Sequence, residues 1–163
     1  MEVLYDRLSR RAFGLAYRIV GDGPAAEDVV QEAFLAVWRS AERIDAARGN
    51  LRSYVLTIVH RRAIDVLRSR SGLSERQLPE SAAELLPREG DFTEAVASSV
   101  DGAVVRGALE DLPEDQRQVI EMAYYQGLTH IEISERLGLP LGTVKSRMRL
   151  ALQKMRGSLG VER

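Results

Sequence analysis

The stretch Gly127–Met155, GLTHIEISERLGLPLGTVKSRMRLALQKM, sets hydroxyls, glycines and cations at the spacing of a helix-turn-helix able to read duplex DNA. Thr129 followed by Glu132 is a capping-box pattern, in which hydroxyl and carboxylate satisfy the first free amides of a helix. Ile131, Ile133 and Leu137 supply that helix's apolar positions, and Gly138 offers the left-handed conformation that ends it in a sharp turn. Pro140 suits the first position of a second helix, where its missing donor costs nothing. With Val144 as origin and about 100° per residue, Met148, Ala151 and Met155 share its side and face inward, with Leu141 and Leu152 on the flank. Gly142, Thr143, Ser146, Arg149 and Leu150 lie opposite, with Lys145 and Arg147 on the shoulders. Small polar residues around one Arg can approach base edges, and flanking cations can meet phosphates on either wall of a major groove. Leu141 to Arg156 holds five cations and no acid, although such a run also suits a merely solvated face.

Two segments in the first half carry further chemistry. Asp28, Gln31 and Glu32 fall about one turn apart on the polar side of a predicted helix, forming either a fixed patch for a protein partner or simply a solvated face. Leu51 to Arg70 combines Arg52, Arg61, Arg62, Arg68 and Arg70 with Tyr54 against the single acid Asp65. Cations with an aromatic suit single-stranded or distorted DNA, where bases stack and phosphates are neutralised. Alternatively Asp65 pairs with Arg61 or Arg68 at helical spacing and Tyr54 belongs to the core.

The elements that must position these residues read as helices throughout. Leu4–Val20 repeats Leu4, Leu8, Ala12, Leu15, Ala16 and Ile19 at helical spacing and ends in Gly21-Asp22-Gly23-Pro24. Ala25–Ser40 follows with the stripe Val29, Val30, Ala33, Phe34, Val37 and Trp38. Leu51–Arg68 places Val55, Ile58, Val59, Ile64 and Leu67 on its candidate buried side. Helices are also expected from about Thr93 to Asp111 and from Glu114 to Gln126, the latter with Val119, Ile120 and Ala123 inward. No strand alternation competes with these assignments. Ser71–Asp91, with two glycines, two prolines and excess acid, reads as a linker.

At 163 residues and 45% hydrophobic content the chain has room for two small domains. Its net charge of −1 conceals an uneven distribution: +3 over residues 1–70, −4 over 71–100 and zero over 101–163. Without cysteine there is no disulfide or thiolate zinc site, and His60 and His130 are far apart, so no metal or cofactor is expected. The chain lacks a signal-peptide pattern and a run long enough to span a bilayer, and a cytoplasmic protein is expected.

Taken in order, AAEDVVQEAFLAVWR, LRSYVLTIVHRRAIDVLR and LPEDQRQVIEMAYYQGLTHIEISERLGLPLGTVKSRMRLALQKMR resemble the bacterial RNA polymerase sigma factors of the extracytoplasmic-function class. The resemblance implies an all-α fold of two helical domains: a region 2-like domain over 1–70, an acidic linker over 71–100, and a region 4-like helix-turn-helix domain over 101–163. It implies that Asp28, Gln31 and Glu32 bind core RNA polymerase. By the same resemblance Asn50, Arg52, Tyr54, Arg61 and Arg62 meet the melted minus-ten element, with the Ile44–Asn50 loop shaping a base pocket. Thr143, Ser146 and Arg149 would face bases of the minus-thirty-five element, and Lys145 and Arg147 its backbone. Arg61 and Tyr54 depart from the family, which often carries Asn and Trp there. Met122, Tyr124 and Tyr125 receive no site. The implied partners are core polymerase, promoter DNA and an anti-sigma protein that covers both DNA- and polymerase-facing surfaces. In the family the linker threads near the polymerase active site, where acid in this chain would mimic a nucleic-acid strand.

Two other classes share parts of this pattern. A two-component regulator carries a similar helix-turn-helix, but its first half alternates strands and helices around an acidic phosphoacceptor. A nuclease needs clustered carboxylates or histidines, and Asp28 with Glu32 offers no evident third ligand. No catalysis is expected.

Overall fold

A computed structural model of the chain describes residues 2–40, 51–72 and 102–160, with side chains from Tyr5 and Val104 onward in the outer helices. The described residues form seven helices and no strand: α1 (Glu2–Val20), α2 (Gly23–Ser40), α3 (Leu51–Arg70), α4 (Gly102–Glu110), α5 (Glu114–Tyr124), α6 (His130–Leu137) and α7 (Leu141–Leu159). They fall into two compact units divided between Glu75 and Arg76. The expected Ile44–Asn50 loop, most of the 71–100 linker and the Thr93–Asp101 part of the fourth helix lie outside the described residues.

In the first body α1, α2 and α3 all pack on one another. Their apolar stripes supply the core: Leu8, Ala12, Ala16 and Ile19; Val29, Val30, Ala33, Phe34 and Val37; Val55, Leu56, Val59 and Ala63. Fully buried alanines on all three helices let the backbones approach closely, while burial of each Val, Leu or Phe contributes about 1.5–3 kcal/mol. The turn between α1 and α2 is set by Gly21, at φ 71°, and by Asp22, whose Oδ2 accepts from the Ala25 amide at 3.0 Å. That acid satisfies an N-terminal amide of α2 that would otherwise be free. Arg70 reaches back to the same carboxylate at 3.6 Å, tying the end of α3 to the start of α2. Tyr5 meets Phe34 edge-on, with ring centroids 4.9 Å apart.

Stripe residues on two helices behave differently from expectation. Trp38 is 64% exposed rather than buried, because it lies about 110° round α2 from the centre of the stripe. Ile58, Ile64 and Leu67 are only half-buried, and Leu56 and Ala63 complete the α3 core in their place.

The second body is built around α7, which packs on α4, α5 and α6. The capping box forms: the Glu132 amide donates to Thr129 Oγ1 at 3.2 Å and the Thr129 amide donates to Glu132 Oε2 at 2.8 Å. α6 closes on Gly138 at φ 64°, a conformation that a side chain at this position would oppose. The tight turn is held further by the Leu139 amide donating to the Ser134 carbonyl and the Ser134 hydroxyl donating to the Leu139 carbonyl. Pro140 caps α7 instead of occupying its first turn: at ψ 141° it is still extended, and the helix begins at Leu141. On α6 only Ile133 of the three expected apolar residues is fully buried. Ile131 lies about 160° round the helix from Ile133, and it is exposed.

Candidate nucleic-acid interface

The first turns of α7 sort their side chains by face. Val144, Met148, Ala151 and Met155 are buried, which fixes the helix's rotation. Lys145, Ser146 and Arg149 are then exposed and Thr143 half-buried, with Ser146 and Arg149 at the centre of the outward surface and Thr143 and Lys145 on its opposite flanks. Leu150 is exposed beside them. Arg147 is held: its Nε lies 3.2 Å from Asp115 Oδ2 of α5 in an ion pair, and its side chain is mostly covered. The shoulder cation is thus an oriented one. A guanidinium bound through Nε keeps its terminal nitrogens available for a phosphate.

Behind this face lies a group that sequence reasoning treated only as a missing metal ligand. His130, the first residue of α6, is buried, and neither ring nitrogen has a hydrogen-bond partner. Burial lowers its pKa from the ordinary 6.5, and the nearby Lys145 ammonium lowers it further. The ring is therefore neutral at neutral pH, and the cationic face gains no charge from it.

In the first body α2 presents Asp28, Gln31 and Glu32 outward, all exposed. The same face carries Leu35, 51% exposed, and Trp38; all five lie within about 60° of Leu35 round the helix. An exposed leucine and tryptophan framed by carboxylates make a surface suited to a protein partner rather than to water alone. Leu35 was missed in the sequence because its angular position, opposite the buried stripe, is its only signal.

On α3 the structure brings together only part of the expected set. Tyr54 is 41% exposed, its hydroxyl 3.4 Å from Ser40 Oγ at the end of α2, so it belongs to the surface and not to the core. Arg61 is exposed on nearly the same side of the helix. Arg62 lies at the edge of that side and donates from Nη1 to Glu32 Oε2 at 2.7 Å. Arg52 is about 160° round α3 from Tyr54, so a straight helix does not offer both to one ligand. Asn50 lies outside the described residues. Among the described residues no group of three or more His, Asp or Glu is gathered as a metal site needs, and no helix is long and apolar enough to cross a membrane. The strand-helix alternation that a two-component regulator needs is likewise absent from residues 2–40 and 51–72.

Comparison with known proteins sets these surfaces in a family. Residues 4–72 match Sigma-70 region 2 and residues 108–157 match Sigma-70, region 4. The ECF RNA polymerase sigma factor SigK of Mycobacterium tuberculosis (strain H37Rv) is 38% identical over 157 residues, covering 96% of this chain and 84% of the relative. The protein of the same name from Mycobacterium sp. (strain KMS) is 36% identical over 158 residues, covering 97% and 82%. A solved structure of the sigma factor RpoE with the anti-sigma factor NepR from Bartonella quintana aligns over the whole of both chains at 22% identity. The TM-score of that alignment is 0.39.

Proposed function

Since the chain belongs to the ECF class of RNA polymerase sigma factors, we propose that it divides promoter-specific initiation between its two bodies, the first docking polymerase and meeting the minus-ten element, the second reading the minus-thirty-five element. The chain is a DNA-binding initiation factor that works with core RNA polymerase. The observation that carries the division is a coincidence of matches and surfaces. Region 2 falls on the body whose α2 exposes carboxylates around Leu35 and Trp38; region 4 falls on the body with the capped helix-turn-helix.

In this reading Asp28, Gln31 and Glu32 engage polymerase, and Leu35 and Trp38 add the apolar contact that such a docking face needs. Tyr54, Arg61 and Arg62 meet the melted strand, one by stacking and two by neutralising phosphates. Arg52, on another side of α3, is assigned to the same minus-ten element but not to the same ligand group as Tyr54. Asn50 keeps its proposed place beside the base pocket. Thr143, Ser146 and Arg149 read bases upstream, and Lys145 and Arg147 fix the register on phosphates. The domain limits 1–70, 71–100 and 101–163 are part of the same proposal.

Tethering two weak contacts to one polymerase raises the effective concentration of each, so specificity comes from simultaneous engagement at the correct spacing. The protein itself performs no catalysis in this reading, and it acts where polymerase is, in the cytoplasm. An anti-sigma protein that covers both faces completes the set of partners. Co-elution of the purified chain with core RNA polymerase tests the reading: a stoichiometric complex is expected, and separate elution at every salt concentration contradicts it.

A further inference from the structure

From the ion pair between α2 and α3 we infer that Glu32 masks Arg62 in the free protein, and that polymerase docking on Glu32 unmasks it for DNA. The inference rests on the docking reading of α2. Arg62 Nη1 and Glu32 Oε2 are 2.7 Å apart, a charge-assisted hydrogen bond across two helices and thirty residues of sequence. The two side chains are 37% and 63% exposed, so both remain within reach of an outside partner. The same carboxylate cannot give its full charge to Arg62 and to a cation of polymerase at once. Conversely, a guanidinium paired with a carboxylate attracts phosphate more weakly, because the adjacent negative charge offsets its field.

The consequence is reciprocal linkage. Whatever factor polymerase docking adds to Arg62's affinity for DNA, DNA bound at Arg62 adds to polymerase affinity. A sigma chain built this way holds its minus-ten cation back until it is seated on the enzyme. Asp115 pairs with Arg147 in the other body at 3.2 Å and offsets that cation's field in the same way, but Asp115 is not among the proposed polymerase contacts, so docking in this reading does not release it.

Two double-mutant cycles on the full chain test the inference. In the first, anisotropy of a fluorescein-labelled single-stranded oligothymidylate measures DNA binding by the free protein. Glu32→Gln is expected to tighten binding about twofold to fivefold, the range open to an exposed ion pair. The gain should vanish in an Arg62→Ala background, whereas Asp28→Asn, an equal charge change on α2, should give clearly less. In the second, Arg62→Ala is expected to tighten core polymerase binding by a similar factor, and to do so only while Glu32 is present. A Glu32→Gln gain that survives in the Arg62→Ala background, or that Asp28→Asn equals, overturns the masking. Unchanged or weakened polymerase binding by Arg62→Ala overturns the coupling. Failure of the docking reading has its own signature: unaltered polymerase affinity when Asp28 and Gln31 are both replaced by Ala.

Discussion

In the proposed reading the two bodies solve the same problem, presenting cations to DNA, by opposite routes. The second builds its base-facing surface from one continuous stretch, in which a capping box, a left-handed glycine and a buried stripe set the rotation of α7, and its shoulder cation Arg147 is tied to another helix through Asp115. The first assembles its face from α2 and α3, so the placement of Arg62 depends on a tertiary contact with Glu32. The difference teaches where regulation can enter. A locally determined motif offers its surface whenever it is folded, while a face shared between helices can be altered by whatever binds one of them.

Four experiments sharpen or break that contrast. The largest effect is expected from Ile133→Ala, which empties a fully buried site and costs the second body about 2–5 kcal/mol. Hydrogen exchange should show protection lost over residues 104–160 and kept over 5–40 and 51–72; loss in both bodies would make them one cooperative unit. Next, Asp28→Ala with Gln31→Ala should weaken binding to core polymerase by about 2–4 kcal/mol, as hot-spot residues do, and leave the circular dichroism spectrum unchanged.

Arg149→Ala should cost about 1–3 kcal/mol on the preferred upstream duplex and relax preference there, whereas Lys145→Ala should weaken all duplexes nearly alike. Indistinguishable profiles would remove the division between base-facing and phosphate-facing residues on α7. The smallest effect concerns His130. Its folded pKa lies below the unfolded value of 6.5, so below that pH the unfolded chain binds the proton more readily than the folded one. Stability of the second body should therefore fall as pH drops through 6.5 and level off below the folded pKa. His130→Leu should flatten that part of the melting curve's pH dependence; an unchanged slope would assign it to other groups.

What could be read from residues alone follows the same line. Thr129, Glu132 and Gly138 act within a few residues of one another, so their spacing alone announces the turn. Trp38 misled because residue type argues for burial, and only its angle round α2, set by the packing of Val29, Ala33 and Val37, places it outside. Ile131 misled in the same way on α6. The pairs Arg62–Glu32 and Arg147–Asp115 join different helices, and no periodicity within one helix reports them. The isolation of His130 is likewise a property of its packed surroundings, since sequence distance could exclude only a partnership with His60.

The most direct test of the account is run-off transcription by core RNA polymerase and the purified chain on a library of randomised promoters. Two separate elements at a fixed spacing are predicted, both required, with Arg149→Ala relaxing only the upstream one. Transcripts that depend on a single element, or no transcripts despite a stable complex, would contradict the claim that two bodies read one promoter together.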